Sequence, residues 1–240
     1  MRLMHWNIRQ GGGKRCSSIL DAIIGQQPDC VVLMEFRERN AASLRAGLRA
    51  NGLTYQLATP GEGSTNRILF ASRTPFTQVQ SEIAPPFPAR WLNVRLTNSQ
   101  ILIGAAHIPG WSDGKPLGDR KMRSWNHLLE MSQKYPNDPM LLVGDFNTGV
   151  RCVDETGRTF KASECLKQLQ IVGWKDAWRH KHGDKREYTW FSRTGSGFRI
   201  DHAFCTSSIL PLLQDARYLH HAREAKFSDH SPLIVEWLGT

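Results

Sequence analysis

Six short apolar runs in this 240-residue chain each meet an acid, an amide or a histidine at or near one end, and that recurrence narrows the fold more than any single motif. Residues 3–8 carry Asn7 within the run, and residues 30–34 stop at Glu35. Residues 101–106 stop at His107, and residues 140–143 run into Gly144-Asp145-Phe146-Asn147. Asp201 sits inside residues 200–205, and Asp229-His230 leads directly into residues 233–238. A continuous apolar run of this length suits a strand covered on both faces, so the pattern calls for sheets buried between layers. Polar residues at strand ends lie where a rigid sheet presents chemistry to solvent. Taken one at a time, an Asp or Asn there is about twice as readily a turn residue or helix cap; six together are hard to explain that way.

Between these runs the chain alternates helical and β-like segments. Ser17 or Ser18 is expected to cap a helix carrying Ile19, Leu20, Ile23 and Ile24 on one face, ending before Pro28. Further helices are expected over residues 41–50, 118–134 and 164–171. Residues 54–58, 68–72, 91–96 and 188–191 read as short strands, and Thr97-Asn98-Ser99-Gln100 as a hairpin turn. No repeat, low-complexity tract or linker divides the chain, so residues 1–240 are expected to form one α/β (α+β) domain. Five scattered cysteines without a CxxC pair argue against a disulfide framework or structural zinc; Cys30 and Cys205 read as core residues. No apolar stretch approaches the roughly 20 residues that span a bilayer, and the N-terminus reads as a strand rather than a secretion signal. A cytoplasmic monomer with no membrane or protein partner is the expectation.

Glu35, Asp145, Asn147, Asp201, Asp229 and Asn7 offer oxygen donors without thiolates, which suits a hard cation, Mg²⁺ or Mn²⁺, better than zinc. Histidines beside carboxylates can be held in one tautomer. Such a set supplies what phosphodiester hydrolysis requires: an in-line water, a base, and compensation of developing negative charge. The formal net charge of +9 persists although four acids belong to the candidate site, so the remaining surface is more basic still. A basic surface attracts polyanions, although charge alone carries about even odds of meaning a nucleic-acid partner. Arg9, Lys14, Arg15, Arg37, Arg39, Lys115, Arg120, Lys121 and Arg123 lie in loops or helix starts near the expected site edge.

The strings His5-Trp6-Asn7-Ile8, Leu33-Met34-Glu35, Gly144-Asp145-Phe146-Asn147, Arg199-Ile200-Asp201-His202 and Ser228-Asp229-His230-Ser231-Pro232-Leu233 stand in the order of a known family. In them the chain resembles the endonuclease/exonuclease/phosphatase superfamily, in its exonuclease III and deoxyribonuclease I-like branch. The resemblance implies a four-layer αββα sandwich of two mostly antiparallel sheets flanked by helices. It implies Glu35 as the main metal carboxylate, with Asn7 as a near ligand and Asp229 as a further acid that helps hold the metal. Asp145 would activate the attacking water and Asn147 would contact the scissile phosphate. His230, oriented by Asp201, would meet a phosphate oxygen.

His107 is similar to a histidine of deoxyribonuclease I and the phosphatases, where apurinic endonucleases carry Tyr, so the chain departs here from the repair-enzyme pattern. Trp190, Phe198 and Ile200 fall on positions similar to the pocket that receives a base-free sugar in apurinic endonucleases; packing of the sheet interface, or stacking of single-stranded bases, would explain the two aromatics equally well. The expectation is a DNA nuclease, acting as an endonuclease, at apurinic sites or as a 3′-exonuclease. The alternatives are a phosphatase or phosphodiesterase on a small or lipid-derived phosphate, an RNA-directed nuclease, and a catalytically silent nucleic-acid-binding module.

Overall fold

A computed structural model describes residues 1–97, 99, 101–135 and 138–238. Its strands are β1 (Arg2–Asn7), β2 (Cys30–Phe36), β3 (Tyr55–Ala58), β4 (Arg67–Ser72), β5 (Phe76–Gln78), β6 (Trp91–Leu96) and β7 (Leu102–His107). They continue as β8 (Met140–Asp145), β9 (Lys175–Asp176), β10 (Trp190–Phe191), β11 (Gly197–Phe198), β12 (Asp201–Cys205), β13 (Leu213–Tyr218) and β14 (Leu233–Trp237). The helices are α1 (Cys16–Gly25), α2 (Ala42–Ala50), α3 (Asp119–Lys134), α4 (Ser163–Ile171), α5 (Ala177–His182) and α6 (His220–Glu224).

One six-stranded sheet runs β13-β14-β1-β2-β4-β3 and the other β5-β6-β7-β8-β12-β9. Each is antiparallel except for one parallel pair at its centre, β1 with β2 and β7 with β8. The two-residue period of a strand sorts the side chains into three apolar layers. Leu3, Val32, Met34 and Phe70 of the first sheet meet Val94, Ile103, Leu141 and Val143 of the second. On the outer face of the first sheet, Met4, Trp6, Val31 and Leu33 pack against Ile19 and Ile23 of α1 and Leu44 and Leu48 of α2. On the outer face of the second, Leu102, Ala106 and Leu142 pack against Trp125 and Leu128 of α3 and Leu166 and Leu169 of α4. Helix, sheet, sheet, helix: this is the expected four-layer sandwich, and it explains why the central strands are apolar on both sides.

Several local expectations change. α1 starts at Cys16 with no side-chain cap, because a 3₁₀ turn at Gly13–Arg15 feeds straight into it. The strand expected over residues 188–191 shrinks to β10, paired with β11 in a separate small hairpin. β6 and β7 are antiparallel neighbours, but Asn98 and Gln100 of the expected turn lie outside the described residues. Nothing in the residue pattern marks β13, whose buried Leu213, Ala216 and Tyr218 are interleaved with Gln, Asp and Arg. No helix among the described residues is long and apolar enough to cross a membrane.

Candidate active site

Strand register puts three of the expected residues in one row. His107 at the end of β7 lies opposite Asp145 at the end of β8, and Asp145 lies opposite Asp201 at the start of β12. Directly opposed residues share a face of the sheet. Gly144 makes this approach possible, because an added Cβ there would run into the carbonyl of Ala106 on β7. The first sheet contributes its own parallel pair to the same edge, where Asn7 ends β1 beside Met34 and Glu35.

Glu35 is aimed by a bulge. Met34 pairs with Ile68 and Phe36 with Arg67, which leaves Glu35 unpaired at φ +56° in the left-handed region. That conformation costs a non-glycine residue on the order of 1 kcal/mol or more. Residues 9–13 compensate with a run of positive-φ backbone that three glycines make accessible. Within it Gln10 N–H donates to Glu35 Oε2 at 2.8 Å and Gly11 N–H to the Glu35 carbonyl at 2.7 Å.

Asn7 joins the two sheets at the site. Its Nδ2 donates to Asp145 Oδ2 at 3.0 Å and lies 3.4 Å from Glu35 Oε1, while its Oδ1 accepts from Arg9 N–H at 3.0 Å. Its amide nitrogen thus bridges the two acids. Asp145 Oδ1 accepts from Asn147 N–H at 3.0 Å, and Asn147, at φ +46°, donates through Nδ2 to Ile108 O at 3.0 Å. Burial pushes the Asp145 carboxyl up to about 6, against the opposing pull of His230.

His230 Nδ1 lies 2.9 Å from Asp201 Oδ2, and its Nε2 is 3.9 Å from Asp145 Oδ2. Burial alone would make the imidazolium harder to form, but Asp201, then Asp145, outweighs it and raises His230 to about 10. Asp201 in turn is held below the usual carboxylate range: burial would raise it, and His230 and His5 overcome that. Asp145, Asp201 and His230 could each turn an atom to a common point, yet the Asp201–His230 hydrogen bond already uses two of those groups. His107 Nε2 stands 3.8 Å from Asp145 Oδ2, and burial followed by nearby Arg90 keeps its imidazole neutral.

An open cleft of about 640 Å³ exposes this row. It is lined by Glu35, His107, Asp145, Asn147, Asp229 and His230, together with Trp190, Ile200, Arg90 and Arg120. Asp229 Oδ2 accepts from Trp190 Nε1 at 3.4 Å and faces Arg9 Nε at 3.7 Å, with Arg9 largely exposed. Phe198 does not line the cleft; it packs 5.8 Å behind the Trp190 ring and 5.4 Å from Phe160. Lys121, expected among the surface cations, is buried and donates through Nζ to the Asn147 carbonyl, and its burial lowers the ammonium to about 8. Arg120 and Arg123 both stack on Phe87, at 4.7 and 5.2 Å, on the cleft rim.

Three side chains with no chemical role assigned from the sequence bear on the site: Arg90 in the cleft wall, Lys121 beneath Asn147, and His5, quoted only as part of a motif string, behind Asp201. His5 was visible only as a polar residue in the apolar phase of β1, and Arg90 carried no signal beyond following a proline-rich stretch.

The carboxylates of Glu35, Asp145 and Asp229 in one cleft, with no thiolate near, make an oxygen-donor set that fits a hard divalent cation. The Asp145 carboxyl is raised by its burial and then by neighbouring Asp201, against the pull of His230.

Below Asp201 an ionic network anchors β12. Arg199, fully buried, grips Asp154 with Nε and Nη2 at 2.7 and 3.1 Å and reaches Asp176 Oδ2 at 2.8 Å. Burial would raise both carboxyls, but Arg199, helped at Asp176 by His202, holds them below the ordinary range. Groups with depressed folded values add stability that is complete above the unfolded value of about 4 and is lost as pH falls through the folded one. Urea midpoints measured between pH 6 and pH 3 should therefore drop at the acid end. Asp176→Asn should make that dependence shallower; an unchanged slope would contradict the network's role.

The sequence model of the Endonuclease/Exonuclease/phosphatase family matches residues 4–230. No curated protein matches the chain. Among solved structures, an AP endonuclease from Archaeoglobus fulgidus superposes with a TM-score of 0.84 at 18% identity. A 3′ phosphatase, NExo, from Neisseria bound to a product DNA hairpin gives 0.82 at 20%, and the 3′-5′ exonuclease NExo from Neisseria meningitidis gives 0.79 at 20%. In each case 99% of both chains is covered.

Proposed function

The chain belongs to the Endonuclease/Exonuclease/phosphatase family, and from that premise we propose that it is a divalent-cation-dependent phosphodiester hydrolase acting on DNA, as an endonuclease, at apurinic sites or from 3′ ends. The observation that carries this reading is one pair of groups facing the cleft. Asp145, with a carboxyl near 6, stands 3.9 Å from His230, an imidazole raised to about 10 and braced by Asp201. A base that is ionised yet not strongly solvated, beside a persistent positive donor, suits removal of a proton from water and stabilisation of a phosphorane-like charge.

In this reading Asp145 Oδ2 takes the proton of the attacking water. His230 Nε2–H binds a non-bridging phosphate oxygen, and Asn147 contributes an amide N–H to the same phosphate. Neutral His107, which also lines the cleft, would offer its single N–H as a hydrogen bond to the departing oxygen, which takes its proton from solvent. Glu35 and Asp229, with Asn7 as a near ligand, would hold Mg²⁺ or Mn²⁺ beside Asp145, and the cation when bound supplies positive charge to the phosphate and leaving group. Asn7 keeps Glu35 and Asp145 at a fixed spacing for it.

DNA is favoured over a small phosphate because the cleft is open and its rim is basic. Arg90 and Arg120 line the cleft, Arg123 stacks on Phe87 beside Arg120, and Lys115 is exposed next to the lining residue Gly114. Cations spread along a groove position a polymer backbone without reading sequence. The DNA hairpin in the similar Neisseria phosphatase lends support to the same reading.

Incubating the protein with end-labelled duplex, abasic, single-stranded DNA and RNA, beside inositol phosphates, tests this directly. Cleavage of DNA in Mg²⁺, abolished by EDTA, is expected; turnover of inositol phosphates alone would overturn it. Trp190→Ala should slow abasic-site incision about tenfold more than plain duplex nicking, the order expected for losing apolar contact with a base-free sugar. Equal losses on both substrates would remove Trp190 from sugar recognition.

A further inference from the structure

His5 sits on β1 between Leu3 and Asn7, in the phase that turns toward the opposing sheet, and is fully buried. Its Nε2 lies 3.2 Å from Asp201 Oδ1, while Oδ2 of the same carboxylate takes His230 Nδ1 at 2.9 Å. An ionised carboxylate only accepts, so both imidazole nitrogens must present N–H. Each oxygen of Asp201 therefore holds one histidine, and both histidines come from the first sheet or its edge while Asp201 belongs to the second.

The backbone of Asp201 is fixed separately. Its N–H reaches Thr189 Oγ1 at 3.3 Å and its carbonyl accepts from the Tyr218 hydroxyl at 2.7 Å. The carboxylate is different, because the last torsion of an Asp side chain is soft and broadly two-fold. Among the described residues its oxygens have only the two imidazoles as partners. Without His5 a single hydrogen bond would define the plane of the group that orients His230. The fold itself gains little from this choice: His5 Nδ1 is buried without a partner, where an aliphatic residue would continue the Leu3 layer.

We propose that His5 is a positioning residue for the hydrolytic reaction: its Nε2–H pins Asp201 Oδ1, so that Oδ2 faces His230 Nδ1 and His230 Nε2 is presented to the phosphate. The inference rests on the hydrolase reading for its kinetic consequence and on geometry alone for its structural one. Loss of a partner that orients a site histidine typically lowers activity on the order of 10- to 100-fold.

The full-length protein, as wild type, His5→Leu and His5→Gln, is compared on labelled abasic duplex with Mg²⁺. His5→Leu should lower kcat by roughly that 10- to 100-fold range with KM within about twofold. His5→Gln, whose amide nitrogen can reach the place of Nε2, should recover most of the rate. In an Asp201→Asn background, His5→Leu should add no further loss. Independently of activity, the downfield Nδ1 proton of His230, assigned by its disappearance in His230→Ala, should be seen in wild type and His5→Gln and be shifted or lost in His5→Leu. Full additivity with Asp201→Asn, or a His230 proton unchanged by His5→Leu, overturns the proposal. Should His5→Leu not fold, a His230 proton absent from folded His5→Gln overturns it, and its retention there together with near-wild-type kcat supports it. A wild type that cleaves nothing would defeat the hydrolase reading, while the proton resonance would still decide the role of His5.

Discussion

Alanine in place of His230 is expected to lower kcat on labelled DNA by up to about 10⁴-fold, together with a drop in thermal midpoint, because buried Asp201 loses its charged partner. His230 closes a chain of groups that has no substitute in the cleft: Asp201 holds Nδ1, and Nε2 is left to face Asp145 and the substrate. Removing the imidazole takes away both the positive charge and the aimed donor. Its main-chain carbonyl, which accepts from Trp6 Nε1 at 2.8 Å, is retained in the variant, so the local packing should survive. Asp201→Asn tests the same chain from its other end. An amide oxygen could still accept from His230, but the negative charge that raises the imidazole would be gone, and a similarly large loss is expected. Steady-state kinetics alongside a thermal melt would check both. Wild-type kcat in a folded His230→Ala protein would take His230 out of the reaction.

Arg199→Met should destabilise the protein by about 3–5 kcal/mol, the typical cost of leaving buried charges without their partner. The guanidinium is fully buried, bidentate to Asp154, bonded to Asp176, and lies 4.9 Å over the Trp178 ring. Methionine fills part of that volume but leaves two carboxylates with only Arg179 and His202 nearby. A further replacement of Asp154 and Asp176 by Asn should recover part of the loss, because the amides carry no unpaired charge and can still accept from Val150 N–H and Arg179 N–H. Urea unfolding at pH 7 measures it. A cost below about 1 kcal/mol for Arg199→Met would mean the network contributes little, since that is what an exposed pair contributes.

The central strands were legible because both faces of each are covered, and double burial writes itself as uninterrupted Val, Leu, Ile and Met. The ends of β2, β7, β8 and β12 were legible for the complementary reason: Glu35, His107, Asp145 and Asp201 interrupt such runs, and register brings the last three into one row. β13 was hidden because an edge strand alternates, and Asp215 and Arg217 break its apolar phase. Resemblance places Phe198 in the sugar pocket, with packing as the equal alternative, and in the hairpin it packs between Trp190 and Phe160 without lining the cleft. Lys121 counted as surface charge because nothing in a helix start foretells that one lysine folds beneath the next loop's carbonyl. His5 was the hardest to read, since its partner is 196 residues away and lies on the other sheet.

The same topology explains why the site needs both halves of the chain. Each sheet has one parallel pair at its centre, and the strand ends of both pairs supply the cleft, Glu35 with buried Asn7 behind it from one and His107 and Asp145 from the other. Asn7, donating to Glu35 and to Asp145, is the direct link between them. A change that shifts one sheet against the other should therefore reach activity before it reaches stability.

Anomalous scattering from crystals soaked in Mn²⁺ would test the account where it is most exposed. A manganese peak among the oxygens of Glu35, Asp145 and Asp229, lost in Glu35→Ala, is the predicted result. A protein that hydrolyses DNA at full rate with no peak in that cleft, or with the ion bound elsewhere, would contradict it.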